Sequence, residues 1–287
     1  MRWDRVADWW QLVKPRQTAL LVFTGLVGHA SASAPIARPG ACAWLSLAGS
    51  LVAAIAGATI LNMVYDRDVD AVMRRTRHRP LAEGRVDPAR AALAGLWSSW
   101  LGIGWAFALA PLYGAVVLLG WVLDVAVYTM WLKRRTVWAV VVGGLAGGMP
   151  VLAGRVLAAG RVDVLGVLLA FSVVVWIPTH IMTFSVKYAA DYRAAGIPVF
   201  PNRYGVKATQ YVVGLSTLLA AQLMLTVTWL LSVPLGYLGA GAALSAVLIG
   251  LAANALVSPD VQRNIRLFRF ASVYMLGSMG LVLLARA

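Results

Sequence analysis

The chain has 287 residues, of which 61% are hydrophobic and 13% are charged. Such a composition excludes a soluble domain and indicates an all-α integral membrane protein with several spans. The formal net charge of +14 would suggest a nucleic-acid ligand in a soluble protein, but in a membrane protein the excess of Lys and Arg marks the cytoplasmic loops, so no nucleic-acid partner is expected.

Apolar runs long enough to cross a bilayer recur along the whole chain. Nine of them can be delimited, although the fifth is interrupted by glycines. No hydrophilic linker or shift in composition divides the chain, so residues 1–287 are expected to form one transmembrane domain. The predicted spans lie near residues 17–34, 41–63, 89–109, 113–132, 137–156, 162–184, 207–231, 233–257 and 267–285.

The basic residues test this division because positive charge concentrates in cytoplasmic loops. If the spans alternate in direction, the N-terminal segment and the loops after the second, fourth, sixth and eighth spans share one side. Only four of the 25 Lys and Arg residues, Arg38, Arg155, Arg161 and Arg286, fall on the other side. The asymmetry predicts a cytoplasmic N-terminus and an external C-terminus.

Two connections on the cytoplasmic side are long, at residues 64–88 and 185–206. They follow the second and sixth spans, and each begins with a Tyr-x-x-Asp sequence, at residues 65–68 and 188–191. The recurrence of this short sequence is compatible with an internal repeat, in which two halves of four helices each run in the same direction. The two loops are expected to form a cytoplasmic cap over the membrane domain.

Asn62, Asp66 and Asp70 stand four residues apart at the end of the second span. On a helix this spacing places the three side chains in a column along one face. Mg²⁺ is commonly held by one or two carboxylates together with the phosphate oxygens of a substrate. The column therefore predicts a site for a magnesium-bound diphosphate. The alternative is a helix end whose acids pair with the arginines that follow, and Asp68 is the better candidate for such a pair or for a second metal.

A dense cluster of basic residues, 74–79, follows this column. Guanidinium groups match phosphate oxygens through paired hydrogen bonds, so some of these arginines are expected to face the diphosphate. The alternative is an anchor for anionic lipid. A second basic run at 133–135 allows the same two interpretations. The residues predicted to bind diphosphate are Arg74, Arg77, Lys133, Arg134 and Lys187.

Asp191 is the second candidate metal centre, or alternatively a simple turn residue. It precedes an Ala-Gly-Ile-Pro stretch, 195–198, that breaks the helix in a stiff turn. His180, near the inner end of the sixth span, is a candidate for orienting a substrate or removing a proton, although a histidine inside a bundle more often serves packing. Asp124 lies about midway through the fourth span and needs a partner if it is ionised, and the sequence indicates no role for it.

These residues together resemble the UbiA superfamily of intramembrane prenyltransferases, and within it the protoheme IX farnesyltransferase, or heme O synthase, branch. The sequence from Asn62 to Asp70 matches the first aspartate motif of the superfamily. Lys14-Pro15-Arg16 is similar to the opening of the branch. More specific to the branch are MRRTRHRPL at 73–81, YTMWLKRRT at 128–136 and DYRAAGIP at 191–198.

The resemblance implies nine helices around a central cavity that opens to lipid, in the plasma membrane of a prokaryote, with the active site on the cytoplasmic side. It implies that Mg²⁺ on Asn62, Asp66, Asp70 and Asp191 holds the diphosphate of farnesyl diphosphate or a longer isoprenoid. The isoprenyl group would then pass to the vinyl group of heme B, giving a heme O-type product, with His180 on the acceptor side. A downstream heme-modifying enzyme is a candidate partner.

Departures from the pattern of the branch, at Ala139 and Ala190 among others, leave alternatives open. One alternative keeps the donor site but takes another acceptor: a quinone precursor, a chlorophyll-type substrate or an archaeal lipid. The other is an ion-coupled transporter or a lipid-binding scaffold, with the acids serving as ion sites. Transporters place such sites near the midplane of the membrane, whereas the acids here cluster at one interface.

Overall fold

The computed structural model describes residues 2–32, 40–257 and 260–286. Within these ranges the regular structure is entirely helical. The helices are α1 (Arg2–Leu12), α2 (Pro15–Ala32), α3 (Ala41–Tyr65), α4 (Arg67–Val72), α5 (Pro88–Leu109), α6 (Pro111–Trp121), the π-helix π1 (Val122–Leu132), α7 (Ala139–Ala159), α8 (Val164–Lys187), α9 (Ala189–Ala194), α10 (Phe200–Leu230), α11 (Leu235–Val257) and α12 (Val261–Arg286).

In the part of the chain that the structure describes, eight segments are long and apolar enough to cross a membrane. They are α3, α5, α6 with π1, α7, α8, α10, α11 and α12, and they coincide with the second to ninth predicted spans. The first predicted span corresponds to α2, which is not among the eight. Helix α2 has only 18 residues, so Arg16, Gln17 and His29 cannot lie outside its spanning window, whereas the longer helices contain an apolar stretch of that length. Residues 33 and 34 of that predicted span lie outside the described ranges.

Helix α2 nevertheless lies inside the bundle, where it packs closely along α7. A Cβ added to Gly28 would lie 1.9 Å from the carbonyl oxygen of Val151, and one added to Gly154 would lie 1.8 Å from that of Gly25. Only glycine permits such backbone contact, which is a common mode of helix packing in membranes. The contact fixes α2, and therefore the segment that precedes it, relative to the rest of the bundle.

The two largest apolar clusters of the core meet at α7. One cluster joins α7 to α8, α10, α11 and α12 around Val151, Leu169 and Tyr274. The other joins α7 to α2, α3, α5 and α6 around Leu47 and Ala153. The helices that carry the predicted site residues are thus held by two apolar clusters that share one central helix.

The two long connections meet at one end of the bundle, which we call the capped end and define by residues 66–87 and 188–199. Val69 and Met73 of the first connection pack against Ile197 of the second. Asp87 ends the first connection by accepting a hydrogen bond of 2.8 Å from the backbone of Arg90, which caps α5. The capped end therefore has a defined structure on which charged side chains can be positioned.

Candidate active site

Asp66 and Asp70 lie at the junction of α3 and α4 and are both only 5% exposed. The predicted continuous helix is interrupted here, because the backbone angles of Asp66 (φ −87°, ψ 2°) end α3. Backbone hydrogen bonds from Asp66 to Asn62 (3.0 Å) and from Asp70 to Asp66 (2.8 Å) carry the four-residue repeat through the break. Asp66 and Asp70 consequently face the same cavity.

This cavity, with a volume of about 150 Å³, lies at the capped end between α3, π1, α8 and the start of α10. Its wall is charged on one side and apolar on the other. The charged residues are Lys14, Asp66, Asp70, Arg75, Arg79 and Lys133. The apolar wall includes Val137, Val140, Ile181, Met182 and Phe200.

Each buried carboxylate of the cavity has one cationic partner. Lys133 donates a hydrogen bond to Asp66 Oδ2, and Arg79 Nη1 lies 2.7 Å from Asp70 Oδ2. Burial alone would lower the pKa of Lys133, but the neighbouring Tyr128 and Asp66 raise the pKa above its ordinary value. Lys133 therefore carries a positive charge in the cavity at neutral pH.

Lys14 also lines the cavity. The sequence indicates this residue only through the similarity of Lys14-Pro15-Arg16 to the opening of the family branch. Lys14 lies between α1 and α2 in a left-handed conformation (φ 47°), and Thr59 of α3 holds this turn through a hydrogen bond of 3.2 Å to the carbonyl of Val13. Burial, followed by the charges of Arg79 and Lys133, lowers the pKa of Lys14 to about 8. A basic residue directly before a proline that begins a helix is the sequence signal that could have identified it.

Asp68 and Arg134 form an ion pair outside this cavity. Two guanidinium nitrogens of Arg134 contact the Asp68 carboxylate at 2.7 and 2.8 Å, although the Asp68 side chain is 62% exposed. The pairing lowers the pKa of Asp68 and raises that of Arg134. Asp68 is thus paired with an arginine that follows π1 and not with one of the arginines directly after the acids; of those, Arg79 pairs with Asp70. The pair borders a second cavity of about 610 Å³, which π1 separates from the first.

The other predicted diphosphate residues are not on the first cavity. Arg74 and Arg77 are exposed and do not line the cavity, whereas Arg75, which is also exposed, and the half-buried Arg79 do. Lys187 is also exposed, and its Nζ lies 4.9 Å from the centre of the Tyr188 ring. The structure therefore selects Arg75 and Arg79 from the cluster 74–79, which the irregular turns of this segment make hard to predict.

Asp191 and His180 also lie away from the cavity wall. Asp191 is half-buried in α9, and the next residue, Tyr192, lines the cavity instead. The His180 ring stacks between Trp176 and Phe268, with ring centres 4.9 and 4.5 Å away. The structure thus places His180 on the side of α8 that faces α12.

Asn62 lies one helical turn before Asp66 and has two side-chain partners on π1. Its amide nitrogen donates a hydrogen bond of 2.9 Å to Asp124 Oδ2, and its amide oxygen accepts one of 2.9 Å from Thr129. Asn62 is therefore a hydrogen-bond partner of Asp124 and is not among the residues that line the first cavity.

The described residues contain no group of three or more His, Cys, Asp or Glu side chains arranged to hold a metal ion. Mg²⁺ does not require such a group, because it is usually bound by one or two carboxylates and by substrate phosphates. Asp66 and Asp70 supply two buried carboxylates, and no hydrogen-bond donor of the described residues reaches Asp66 Oδ1. The donor set at the capped end fits Mg²⁺ bound together with a diphosphate.

A bundle of apolar helices with this charged cavity at one end is the architecture of an integral membrane prenyltransferase. The model of the UbiA prenyltransferase family matches residues 21–274, so the chain belongs to that family. The resemblance predicted from the sequence is confirmed, and the protein is a prenyltransferase rather than a transporter.

Two relatives are similar to this chain over nearly its whole length. The chain is 37% identical to the protoheme IX farnesyltransferase of Thermofilum pendens, over 93% of this chain and 94% of that protein. It is 36% identical to the enzyme of the same name from Archaeoglobus fulgidus, over 95% of this chain and 94% of that protein.

Solved structures share the fold at lower identity. A digeranylgeranylglyceryl phosphate synthase superposes with a TM-score of 0.80 at 16% identity, covering 99% of both chains. A UbiA homologue from Archaeoglobus fulgidus, bound to GPP and Mg²⁺, superposes with a TM-score of 0.73 at 15% identity, covering 96% of this chain and 99% of that one. These similarities establish the helical architecture.

Proposed function

We propose that this protein transfers a farnesyl group, or a longer isoprenyl group, from its diphosphate to the vinyl group of heme B, giving a heme O-type product. The observation that carries the proposal is the first cavity, in which two buried carboxylates meet four cations opposite an apolar wall. The names of the relatives at 37% and 36% identity, protoheme IX farnesyltransferase, support farnesyl as the donor group and heme as the acceptor.

The cations of the cavity would bind the diphosphate. Lys14, Arg75, Arg79 and Lys133 place positive charge on its wall, and charged hydrogen bonds from such groups are the strong ones. Diphosphate would also compete with Asp66 and Asp70 for Lys133 and Arg79. The remaining predicted residues lie outside the cavity and would attract the anionic head to its entrance. They are Arg74, Arg77, Arg134 and Lys187.

Asp66 and Asp70 are the proposed principal ligands of Mg²⁺, with Asn62 and Asp191 completing the set. Asp191 would have to turn its side chain toward the cavity, whose wall its neighbour Tyr192 already forms. When bound, Mg²⁺ supplies positive charge that stabilises the negative charge developing on the departing diphosphate. Lys133 and Arg79, which touch the same carboxylates, would add to that stabilisation.

The apolar wall would hold the isoprenyl group and exclude water while the allylic cation exists. Tyr128, Tyr192 and Phe200 line this part of the cavity, and aromatic faces stabilise a cation. The vinyl group of heme B would attack the allylic carbon as the diphosphate leaves, and water would then add to the resulting cation and lose a proton. His180 is the proposed acceptor-side residue, and an acceptor would reach it from the side of α12.

The proposed topology has nine spans, with α2 as the first, a cytoplasmic N-terminus and an external C-terminus. The distribution of basic residues supports this orientation, since the segments around Lys14, Arg79, Lys133 and Lys187 then all lie in the cytoplasm. Residues 1–287 would form one domain in the plasma membrane of a prokaryote. The loops at 64–88 and 185–206 would cover the active site, and a heme-modifying enzyme would take up the product.

A product assay tests the function. Purified protein in detergent is incubated with heme B, Mg²⁺ and farnesyl diphosphate, and the products are separated and weighed by liquid chromatography and mass spectrometry. We expect a heme heavier by one farnesyl group and one water, absent with Asp66→Ala and retained with Asp260→Asn, an acid exposed at the surface. Release of diphosphate without modified heme would instead support another acceptor, such as a quinone precursor, a chlorophyll-type substrate or an archaeal lipid. No release with any allylic diphosphate would refute the proposed reaction.

A further inference from the structure

The second cavity, which no step of the proposed reaction uses, lies between α3, α5 and π1. Helix α5 packs along α3 and α6 but not along π1, and this divergence leaves the space open. Its volume of about 610 Å³ falls in the range of sites that hold a small molecule. Most of the lining is apolar, and it includes Leu61, Val64, Leu96, Trp121, Val125 and Met130.

The cavity opens toward lipid. Leu96 is 39% exposed and Met130 is 53% exposed, and both belong to segments that are apolar and long enough to span a membrane. Exposed apolar side chains of such segments contact the hydrocarbon of the bilayer. A ligand that enters beside Leu96 and Met130 therefore comes from the membrane and brings an apolar chain.

One end of the cavity is charged. Arg67 and Asp68 follow the end of the span Ala41–Tyr65, and Arg134 follows the end of the span Pro111–Leu132. The ends of spans lie at the membrane interface, where the headgroups of lipids are found. Two arginines against one aspartate leave the cavity with an excess of positive charge, which complements the negative charge of a lipid phosphate.

Hydrogen bonds between the helices hold this space open. The Tyr65 hydroxyl donates a hydrogen bond of 3.0 Å to the carbonyl of Met130, which joins the end of α3 to π1. Arg134 donates one of 2.7 Å to the carbonyl of Tyr65, and Trp121, directly before π1, donates one of 2.9 Å to Ser99 of α5. Because these bonds connect all three helices, the cavity is preformed, and a ligand can bind without separating them.

We propose that the second cavity binds a membrane lipid with an anionic phosphate headgroup, whose phosphate contacts Arg67 and Arg134 while one chain lies along the apolar lining. The basic run 133–135 then serves both of the ligands that its sequence allows, since Lys133 lines the first cavity and Arg134 the second. Guanidinium groups suit a phosphate because their paired donors match its oxygens. Asp68 opposes the headgroup, because it occupies two nitrogens of Arg134 and carries the same sign of charge as the phosphate.

The test measures lipid binding rather than turnover. Purified protein is freed of lipid in detergent, and its melting temperature is followed over titrations, since a ligand that binds the native state raises it. The probes are dioleoylphosphatidylglycerol, whose headgroup is anionic, dioleoylphosphatidylcholine, whose headgroup has no net charge, and glycerol phosphate, which has no chains. We expect a saturable rise with the first, a much smaller rise with the second and none with the third.

The charge of the site can be changed without filling it. Arg67→Gln should weaken the binding of phosphatidylglycerol about fivefold, the effect of one arginine near an anionic lipid. Arg203→Gln is the matched control, because Arg203 is an exposed arginine of α10 that lines neither cavity, and its midpoint should equal that of the wild type. Asp68→Asn removes the opposing charge and should strengthen binding by a similar factor.

The space can also be filled without changing the charge. Val64→Trp places a large side chain in the apolar part of the cavity and should abolish the saturable rise, although both arginines remain. If Val64→Trp does not fold, Arg67→Gln and Asp68→Asn, both at exposed positions, decide the question.

Several outcomes would overturn the lipid site. No saturable rise in the wild type would do so, and equal rises with phosphatidylglycerol and glycerol phosphate would indicate a site for free phosphate instead. Equal losses in Arg67→Gln and Arg203→Gln would show that the overall charge of the protein attracts the lipid. A wild-type midpoint in either Asp68→Asn or Val64→Trp would also contradict the proposed contacts.

Discussion

Lys133 donates a hydrogen bond to Asp66 inside the charged cavity, whereas the adjacent Arg134 is paired with Asp68 outside it. The two basic residues follow each other at the end of π1, yet they line different cavities. The sequence marks both as equal candidates for diphosphate binding. Their different partners favour Lys133 over Arg134 for the proposed diphosphate contact.

Lys133→Met should therefore raise the KM for farnesyl diphosphate far more than Arg134→Met. A hydrogen bond to a charged group contributes about 1.5–3 kcal/mol, which corresponds to roughly 10–100-fold in affinity. The Arg134 variant should change KM by less than about threefold, because the median surface ion pair contributes only about 0–1 kcal/mol. Steady-state kinetics with both variants measures the difference, and equal effects would contradict the assignment.

Arg79→Gln should destabilise the protein through Asp70. The substitution leaves a buried carboxylate without its cation, and breaking a buried pair from one side costs about 3–5 kcal/mol. Because Arg79 is partly exposed, we expect the free energy of unfolding to fall by about 3 kcal/mol or less. Thermal unfolding in detergent should show a lower melting temperature for Arg79→Gln, and Asp70→Asn in the same chain should restore much of it. Arg77→Gln, at an exposed position, is the control and should leave it unchanged.

Lys14 should give the reaction an alkaline limit. Its pKa is lowered to about 8, so Lys14 is charged below that pH and becomes neutral above it, which removes one cation from the diphosphate site. Since kcat/KM reports ionisations of the free enzyme, kcat/KM for farnesyl diphosphate should fall as pH rises through 8. Lys14→Arg keeps its charge at every accessible pH and should shift this fall upward. A pH profile with the same limit in both proteins would exclude Lys14 as its origin.

Gly154→Ala should separate α2 from α7. The added methyl group would lie 1.8 Å from the carbonyl oxygen of Gly25, a contact that the helix backbones can relieve only by moving apart. We expect a lower melting temperature and less folded protein in detergent. Gly104→Ala is the matched control, because its Cβ would meet open space, and alanine favours a helix over glycine by about 1 kcal/mol. A comparable loss in both variants would contradict the packing argument.

The sequence predicted the spans well because bilayer thickness limits the length of an apolar run. The predicted span 41–63 corresponds to Ala41–Tyr65 and the predicted span 233–257 to Leu235–Val257. Asp66 and Asp70 could be predicted to lie together because four-residue spacing survives a small break in the helix. Both agreements depend on regular local geometry.

The remaining differences arise where local geometry is irregular. Segment 73–87 consists of turns without a regular period, so the sequence does not show which of its arginines face the cavity. Those that line it are Arg75 and Arg79, whereas Arg74 and Arg77 were predicted. Asp124 could not be matched with its partners because π1 changes which residues share a face.

The glycine contact between α2 and α7 has a consequence at a distance. Gly28 and Lys14 are 14 residues apart on the sequence, which along a helix corresponds to about 21 Å. Because α2 runs without interruption from Pro15 to Ala32, a shift at Gly28 would move the helix start that lies next to Lys14. A substitution at Gly28 would thus weaken substrate capture at the proposed diphosphate site near the other end of α2, and a genetic screen for donor-site defects should recover it.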